Sequence, residues 1–592
     1  MSYINQPVGG NLKRKEIFRF ICEQLSAFKL RVLIIFISIL FITGIGVVTP
    51  LFGQKLFDEG ILRGDFQRIL YYTAMIAGLF FTEQILSFLQ FTQYEWINRS
   101  IPYRLLERAF RHSLDLKMSY YQDNSFYKVI NNTFADINHI SQVTNADLIQ
   151  TLMGVFKIAG GMIGLAVINW KMMLMTVCII PVSLLISHLF SAQKRKHFQK
   201  LMGAGEAFSM WFSETLSGVE FVKLWNLKKQ KYREFEKYQQ AVVRQNSKME
   251  YLDHANRMID ACVSFVLNYG LILTGALFIM KGSLTVGGLY AFLSYSSLII
   301  QPAQMIAEIA GRLSGSMPSF ERYLEYFRNE TEDLETKDKC KVSEIMPLER
   351  ITFEKVDFGY TEKKQILKQV SFTVHRGEKA AFVGLNGSGK STILSLLLRL
   401  FEPQHGRILF GDTDISCIEL EEYRGLFGVM TQHAYLMNDS IRNNIDIYGE
   451  MADEQIGQAA EVVTLNEYLS SLPEGLSTNV GYNGSKVSGG ERQKIALART
   501  LGKTCRILVM DEASSNFDLK AEEAFREYIR DSKRYDFVFV VTHRLEMVQD
   551  MDRIFIMEEG EIVESGSYQE LTGRGIDIRE LLLREEKAAW ES

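Results

Sequence analysis

Six long apolar segments dominate the first half of this 592-residue chain. An α-helix needs about 20 mostly apolar residues to cross the hydrocarbon core of a bilayer, and each segment meets that length. They lie at about 30–52, 69–91, 148–169, 172–192, 258–280 and 285–310. Because lipid offers the backbone no hydrogen-bond partners, segments of this length fold there as helices. The first half therefore predicts an all-α domain of six membrane-spanning helices.

The basic residues predict which ends of these helices face the cytoplasm. Two long charged segments, 92–147 and 193–257, carry many Lys and Arg residues, as does the N-terminus, whereas the opposite loops have few. By the positive-inside rule, both termini and both long segments are cytoplasmic. A basic amphipathic stretch around Arg14 predicts a short helix on the membrane surface. A cleaved signal peptide is the alternative, but the first apolar segment is too long for one.

A few polar and small residues inside the apolar segments carry further information. Glu83 and Lys157 are costly at membrane depth, so they either line a watery cavity or form hydrogen bonds between helices. Gly160 and Gly164 form a small-xxx-small pair, which favours close helix packing. Tyr295 is one of several side chains that could line a transport pathway. The sequence does not choose among the substrates that would fit such a set.

Composition excludes several classes of protein. The net charge of −4 argues against a general nucleic-acid-binding protein. The six cysteines include no C-x-x-C pair, so they predict neither a disulfide framework nor a zinc site. The near-zero mean hydropathy of −0.01 averages two unlike halves, because residues 335–592 have the composition of a soluble α/β protein.

The second half contains a phosphate-binding loop. Residues 379–400 read KAAFVGLNGSGKSTILSLLLRL, which predicts a buried strand, a glycine-rich loop and a helix. The loop matches G-x-x-x-x-G-K-[ST], whose backbone N–H groups cradle phosphates at a helix N-terminus. The candidate nucleotide-binding residues are Gly384, Asn386, Gly387, Ser388, Gly389, Lys390, Ser391 and Thr392. We expect Lys390 to reach the β- and γ-phosphates and Ser391 to hold Mg²⁺.

An acidic pair follows a second apolar strand. Residues 505–512 read CRILVMDE, so Asp511 and Glu512 lie at the carboxyl end of that strand, where open α/β sheets bind ligands. Asp511 suits Mg²⁺ coordination, and Glu512 is placed to act as general base toward the attacking water. A strand that ends in two acids is common by itself, but after a phosphate loop it becomes specific.

A third motif, VSGGERQ at 487–493, opens a helix. Ser488 and Glu491 fit a capping box, so an ordinary helix start is one interpretation. It leaves unexplained the two adjacent glycines, Gly489 and Gly490, which are poor helix formers. Exposed N–H groups and a hydroxyl at a helix N-terminus make a second anion site. Two half-sites in one domain suggest that nucleotide is bound between two copies.

The order of these motifs resembles that of an ATP-binding cassette (ABC) transporter, specifically an exporter-type half-transporter. The motifs in order are GLNGSGKST, TQ at 431–432, VSGGERQ, ILVMDE, SSNFD at 514–518 and VTHR at 541–544. The resemblance implies a multidomain membrane protein. Its fold would be an all-α six-helix transmembrane domain followed by an α/β P-loop nucleotide-binding domain with a helical subdomain.

The resemblance assigns roles by matching position. Tyr360 resembles the aromatic residue that stacks on adenine, although it could be a surface aromatic at a strand end. Gln432 resembles the glutamine that senses Mg²⁺ and the attacking water. His543 resembles the histidine that contacts the γ-phosphate, although a histidine at a strand end is usually structural. Asp518 resembles the aspartate that communicates across the dimer.

The resemblance also implies ATP and Mg²⁺ as cofactors. Ser391, Gln432 and Asp511 would be the residues at the metal ion. Two departures from the family pattern, Asn516 and Phe517, could tune cooperation between sites, and Glu491 replaces a common glutamine. The first cytoplasmic segment lacks a glycine that is usual in the family.

The expected domains are a transmembrane domain at 1–328, a linker at 329–348 and an ATP-binding cassette at 349–592. We expect short helices near Ser119–Asn124 and Gly205–Ser213 to pass cassette closure to the membrane helices. A second half-transporter chain is the expected partner, with a homodimer favoured and a heterodimer possible. Membrane lipids are also expected partners, and nucleic acid is not.

The expected function is ATP-driven export of a peptide, a drug-like amphiphile or a lipid. Two alternatives belong to other classes: import of a metal complex, and a non-transporting regulator or channel. Retention of Glu512 counts against the regulator, which should tolerate its loss. No organelle presequence is evident, so we expect a bacterial plasma membrane.

Overall fold

The computed structural model describes residues 14–124, 126–142, 148–332, 339–361, 364–512 and 519–582. Its internal contacts divide the chain into two compact units. The first unit contains the residues up to Leu114 and those from Asn124 to Asn329. The second contains Asp115–Asp123 and the residues from Glu330 onward. The second unit therefore takes a short piece from the middle of the helical half.

The first unit is built from long helices, as its apolar segments predict. In chain order the helices of this half are α1 Arg14–Ser26, α2 Lys29–Lys55, α3 Phe66–Asp115, α4 Met118–Asp123 (in the second unit), α5 Phe126–Gln142, α6 Leu148–Ser217, α7 Val219–Leu224, α8 Lys228–Met280 and α9 Val286–Tyr326. A π-helical turn, Leu56–Ile61, follows α2.

Within the described residues, four helical stretches are long and apolar enough to cross a membrane. They are Lys29–Ile61, Phe66–Asp115, Thr151–Trp170 and Lys228–Met280, and they contain four of the six predicted spans. The non-helical backbone of Asn169 interrupts α6 between the third and fourth predicted spans. The other two predicted spans lie in the later part of α6 and in α9, and as membrane-crossing segments they stay predictions.

The glycine pair in α6 packs as expected. A Cβ on Gly160 would lie 2.6 Å from Val47 of α2, and a Cβ on Gly164 would lie 2.5 Å from the ring of Tyr295 in α9. The Tyr295 side chain is fully buried, and its hydroxyl donates to the Val47 carbonyl at 2.5 Å. The interpretation of Tyr295 as a pathway residue is therefore wrong in this structure, because the ring fills the space that glycines leave between helices.

One of the two predicted short cytoplasmic helices is misplaced. A short helix does form at Met118–Asp123, close to Ser119–Asn124. Gly205–Ser213 instead lies inside the long helix α6, and the short helix is α7, after Gly218. A single glycine costs a helix only about 1 kcal/mol, so Gly205 does not end α6.

The second unit consists of two sheets with helices packed on them. The strands are β1 Arg350–Phe358, β2 Leu367–His375, β3 Lys379–Gly384, β4 His405–Phe410, β5 Thr413–Asp414, β6 Phe427–Met430, β7 Ile507–Asp511, β8 Phe537–Val541, β9 Arg553–Glu558 and β10 Glu561–Gly566. The helices are α10 Lys390–Leu397, α11 Leu420–Gly425, α12 Ile441–Ile445, α13 Asp453–Val462, α14 Asn466–Ser471, α15 Gly489–Gly502, α16 Leu519–Asp531, α17 Leu545–Gln549 and α18 Tyr568–Gly573.

The larger sheet has the order β10-β9-β3-β8-β7-β6 and is parallel except at β10. This sheet, with the helices packed on it, confirms the predicted α/β fold of the second half. A four-stranded antiparallel sheet, β2-β1-β4-β5, was not predicted. Because β3, β8 and β7 are parallel neighbours, their carboxyl ends meet at one edge. The phosphate loop, the acidic pair and the histidine of the VTHR motif therefore converge there.

Candidate active site

The phosphate loop adopts backbone angles that require glycine. Gly384 ends β3 with φ of 156°, and a Cβ there would lie only 2.1 Å from the carbonyl oxygen of Met557. Gly387 has φ of 83°, and Gly389, the residue before α10, has φ of 104°. Side chains are strained in this left-handed region, so the glycines let the chain turn tightly from strand into helix. The turn aims the N-terminus of α10 at the end of β3.

Two buried polar groups lie inside this loop. The Lys390 ammonium donates to the carbonyl oxygens of Gly384 at 2.5 Å and Leu385 at 3.3 Å. The Ser388 hydroxyl is buried and has no hydrogen-bond partner within the described part of the chain. A buried hydroxyl without a partner is costly, and a phosphate oxygen would satisfy it. The Lys390 ammonium and the Ser388 hydroxyl therefore fit a bound phosphate group.

Ser391 and Asp511 form the pair expected at a metal ion. The Ser391 hydroxyl donates to Asp511 Oδ1 at 3.0 Å, which joins α10 to the end of β7. Burial raises the pKa of Asp511, and the Ser391 hydrogen bond opposes that shift. The described residues contain no group of three or more His, Cys, Asp or Glu arranged so that it could hold a metal ion. Mg²⁺ commonly uses one or two protein oxygens and takes the rest from water and phosphate, so this sparse pair fits it.

Glu512 is held from two sides. Gln432 Nε2 donates to Glu512 Oε2 at 2.6 Å, and His543 Nε2 lies 2.6 Å from Oε1, where it can donate. The hydrogen bond from His543 is the main reason that the pKa of Glu512 is lowered, although burial opposes it. Glu512 also has φ of 49°, a left-handed angle that is unusual for glutamate. Such strain at a polar cluster is typical of functional sites.

Tyr360 lies at the end of an aromatic cluster. Its ring meets Phe358 and Phe401 edge to face, with centroids 5.1 Å and 5.2 Å away, and it is 41% exposed. The Tyr360 hydroxyl lies 3.2 Å from the hydroxyl of Thr392 in α10, so the ring is tied to the phosphate loop. Sequence analysis missed Phe401, because a phenylalanine after an apolar helix carries no motif.

The VSGGERQ motif forms the start of a helix. Ser488 precedes α15, and its hydroxyl accepts from the Glu491 N–H at 3.3 Å, one of the two hydrogen bonds of a capping box. Gly489 is exposed, and a Cβ there would meet nothing within 4 Å. Gly490 is partly exposed. The hydrogen bond found at Ser488 stays within this helix start. Asp518 lies outside the described residues.

Within the second unit, a backbone ladder ties Asp115–Lys117 to Glu330–Glu332. Leu116 pairs with Thr331 in an antiparallel bridge. The Lys117 N–H donates to the Glu330 carbonyl at 3.2 Å, and the Glu332 N–H donates to the Asp115 carbonyl at 2.6 Å. Sequence analysis assigned this segment to the membrane domain, because short irregular strands leave no periodic pattern.

Side chains strengthen this junction beside Tyr360. The Lys117 ammonium donates to Glu330 at 3.0 Å and to Glu402 at 3.3 Å. Burial disfavours the charge on Lys117, but the two carboxylates outweigh it and raise the pKa of the lysine. Lys117, Glu402, Phe401 and Tyr360 line one cavity of about 540 Å³. The piece Asp115–Asp123 of the second unit thus borders the same cavity as Tyr360.

Comparison with known families agrees with this architecture. The model of the ABC transporter transmembrane region matches residues 32–303, and the ABC transporter model of the ATP-binding region matches residues 367–515. The two matches follow one another in a single chain. They include the phosphate loop, Gln432, the VSGGERQ motif and the acidic pair.

Relatives resemble the chain over most of its length. An ATP-dependent lipid A-core flippase of Desulfotalea psychrophila is 26% identical over 566 residues, which cover 95% of this chain and 98% of the relative. The uncharacterized ABC transporter ATP-binding protein YwjA of Bacillus subtilis is 28% identical, with 84% and 87% covered. A solved structure of a bacterial Atm1-family ABC exporter with ATP bound shares the fold. Its TM-score is 0.85 at 22% identity, with 95% of this chain and 99% of that chain covered.

Proposed function

Because this chain belongs to the ABC transporter family and carries the membrane region and the ATPase domain of a half-transporter, we propose that two copies of it export an amphiphilic substrate. The chain is an integral membrane protein, and its ATP hydrolysis is coupled to transport. A half-transporter works as a dimer. The proposal adds that the dimer is made of identical chains, that both termini are cytoplasmic and that the membrane is a bacterial plasma membrane.

The arrangement of Glu512 carries the proposal. Its carboxylate is ionised, oriented by Gln432 and His543, and placed next to the Ser391–Asp511 pair. A base must be ionised and aimed at the attacking water to take its proton, and the lowered pKa of Glu512 and its two hydrogen bonds support that role. An ABC protein that only regulates another protein would not need this arrangement.

The remaining site residues would hold nucleotide and metal. The N–H groups of the phosphate loop and the Lys390 ammonium would bind the β- and γ-phosphates, and Tyr360 would stack on the base. Ser391 and Asp511, with Gln432 nearby, would hold Mg²⁺, which when bound neutralises charge on the phosphate oxygens. Lys390 must then exchange the carbonyl oxygens of Gly384 and Leu385 for phosphate oxygens.

The second half of each site would come from the partner chain. At this helix start Ser488 and Gly489 are exposed and Gly490 is partly exposed, and the hydrogen bond found at Ser488 stays within the helix start. In a two-fold dimer the same surface meets the partner twice, so two identical chains would complete two sites. Asp518 would communicate between them. ATP then favours the closed dimer only by its higher affinity for that state.

A complementation assay tests the homodimer. Lys390→Met disables the phosphate loop, and Gly489→Asp adds a charge where the fold has room for a side chain. Each variant alone should be inactive, because both of its composite sites contain a defect. Mixed dimers contain one site with both defects and one intact site, so co-expression should restore hydrolysis. Native mass spectrometry shows whether mixed dimers have formed. If they have formed and the mixture is still as inactive as the single variants, the composite site is contradicted.

Transport itself is tested with a panel of lipids, drugs and peptides. We expect one class to stimulate ATP hydrolysis in lipid nanodiscs and to move away from the ATPase side of proteoliposomes. The flippase relative makes lipid-like compounds the first choice. Movement toward the ATPase side would indicate the importer alternative, which the named relatives do not favour.

A further inference from the structure

A groove of about 840 Å³ lies where α1 ends and α2 begins, against the later part of α3. Four cations line it: Lys29 and Arg31 from α2, and Arg99 and Arg104 from α3. The groove belongs entirely to the first unit.

The charge of these cations is poorly compensated. Arg31 donates to Gln93 Oε1 at 2.9 Å, and its guanidinium lies 3.8 Å from the ring centroid of Trp96. Arg104 lies 5.4 Å from the ring of Phe28. These partners are neutral, so they orient the guanidinium groups and leave their charges unpaired.

The other two cations add to this imbalance. Arg99 pairs with Glu95 at 3.0 Å, but the arginine side chain is 80% exposed, so the pair is weak. Lys29 has no ion pair among the described residues. The groove therefore carries a net positive charge on a fixed framework.

The backbone adds a second attraction for anions. The 27-residue helix α2 begins after Phe28 with no side-chain cap and no acidic residue in its first turn. The first N–H groups of a helix lack internal partners and carry partial positive charge. At this end of α2 the nearby side chains are Lys29 and Arg31, so the helix end and the side chains attract the same kind of ligand.

The position along the helices points to a lipid. The groove borders the predicted first span, which begins near residue 30, and the predicted second span, which ends near residue 91. Trp96 and Tyr103 line the groove and are 46% and 68% exposed, as expected for aromatic residues at a membrane interface. The neighbouring side chains of Leu33 and Phe91 are 52% and 57% exposed, which offers an apolar surface to acyl chains.

We propose that this groove binds the phosphate headgroup of an anionic phospholipid. Arginine pairs with phosphate through two parallel N–H groups, and basic pockets between membrane helices suit lipid headgroups. Arg31 and Arg104 are already oriented by ring contacts, so little side-chain entropy is lost on binding. If both termini are cytoplasmic, as proposed above, the lipid belongs to the cytoplasmic leaflet. The rest of the proposal does not depend on that orientation.

Native mass spectrometry of the purified full-length transporter tests this. The probes are phosphatidylglycerol and phosphatidylcholine of equal chain length, which differ in headgroup charge. The wild-type chain should retain phosphatidylglycerol preferentially. Each basic residue near an anionic lipid contributes to the binding free energy. The loss of two such residues in Arg31→Gln/Arg104→Gln should therefore weaken phosphatidylglycerol binding about thirtyfold. Binding of phosphatidylcholine should change little.

Two control variants separate this site from general charge and from misfolding. Arg111→Gln/Arg233→Gln removes the same charge outside the groove and should leave binding intact. Arg31→Lys/Arg104→Lys keeps the positive charge and should retain most of the phosphatidylglycerol binding. The proposal would be overturned if the wild type retained both lipids equally. It would also be overturned if Arg111→Gln/Arg233→Gln lost as much phosphatidylglycerol binding as Arg31→Gln/Arg104→Gln. Displacement of the lipid by millimolar glycerol 3-phosphate or inorganic phosphate would show a soluble-anion site and would overturn it too.

Discussion

In the second unit, every residue of β3 from Ala380 to Gly384 is buried by the chain's own sheets and helices. In the first unit, only 6% to 22% of the most apolar window of each candidate membrane helix is buried. On α3, for example, Phe81, Ile85 and Phe88 are 65% to 70% exposed. The second unit therefore completes its hydrophobic core alone. The first unit relies on lipid, and on the partner chain of the dimer, to cover its apolar surface.

Because of this difference, the two units should differ in how strongly a single substitution affects them. The second unit fixes a few polar side chains within a tightly packed core, so single atoms should matter there. The first unit uses broad apolar surfaces with scattered polar residues, so single changes should matter less. The following variants test that contrast.

The largest effect should come from Glu512→Gln. The amide keeps the shape of the side chain but cannot accept a proton, so kcat should fall about 10²–10⁴-fold. Nucleotide binding should persist. Phosphate release in nanodiscs and equilibrium binding measure the two quantities, and the exposed Glu523→Gln is the control. Hydrolysis at the wild-type rate by Glu512→Gln would remove this residue as the base.

Matched glycine substitutions compare packing in the two units. Gly384→Ala places a methyl group 2.1 Å from a backbone oxygen, which cannot move aside, so it should cost at least about 3 kcal/mol of unfolding free energy. Gly164→Ala meets the Tyr295 ring, which can shift slightly, so it should cost about 1–2 kcal/mol. Thermal unfolding of the full chain in nanodiscs checks the order. Equal costs would mean that the first unit is packed as rigidly as the second.

A smaller effect is expected at Tyr360. Tyr360→Ala should weaken ATP affinity about tenfold, since stacking of a base on an aromatic ring contributes about 1–3 kcal/mol. Tyr360→Phe should bind nearly normally, because it loses only the contact with Thr392. Tyr448→Ala removes another exposed tyrosine of the same unit and serves as the control. Unchanged affinity in Tyr360→Ala would exclude the stacking role.

The most subtle change concerns pH. The hydrogen bond from His543 lowers the pKa of Glu512, so the carboxylate stays ionised further into the acid range. In His543→Ala that pKa should rise, and the acid limb of the normalised kcat profile should move to higher pH. Glu523→Gln should leave the profile in place. A limb that stays fixed, or moves to lower pH, would show that His543 does not act on Glu512.

Much of the second unit could be predicted because its chemistry lies in short contiguous motifs. The phosphate loop, the strand before Asp511 and the strand before His543 each appear as an apolar run followed by polar residues. The left-handed angle of Glu512 and the contact with Gln432 could not be predicted, because they depend on residues about 80 positions apart. Phe401 was missed because a phenylalanine after an apolar helix belongs to no motif.

In the first unit, hydropathy predicted where helices lie but not what they contact. The glycine pair of α6 indicated close packing, yet the sequence did not identify Val47 and Tyr295 as its partners. The short helix predicted near Gly205–Ser213 lies instead at α7, because tertiary packing decides where a long helix ends. The lipid groove became visible only when α2 and α3 were seen side by side.

The backbone ladder between Asp115–Lys117 and Glu330–Glu332 has a consequence for biosynthesis. Lys117 and its partner Glu402 are separated by 285 residues. At ribosomal speeds of about 5–20 residues per second, the lysine waits on the order of tens of seconds for that carboxylate. In the meantime the helices encoded in between must enter the bilayer. A fragment that starts at Glu330 would therefore be made without one piece of its own fold, however complete its nucleotide motifs.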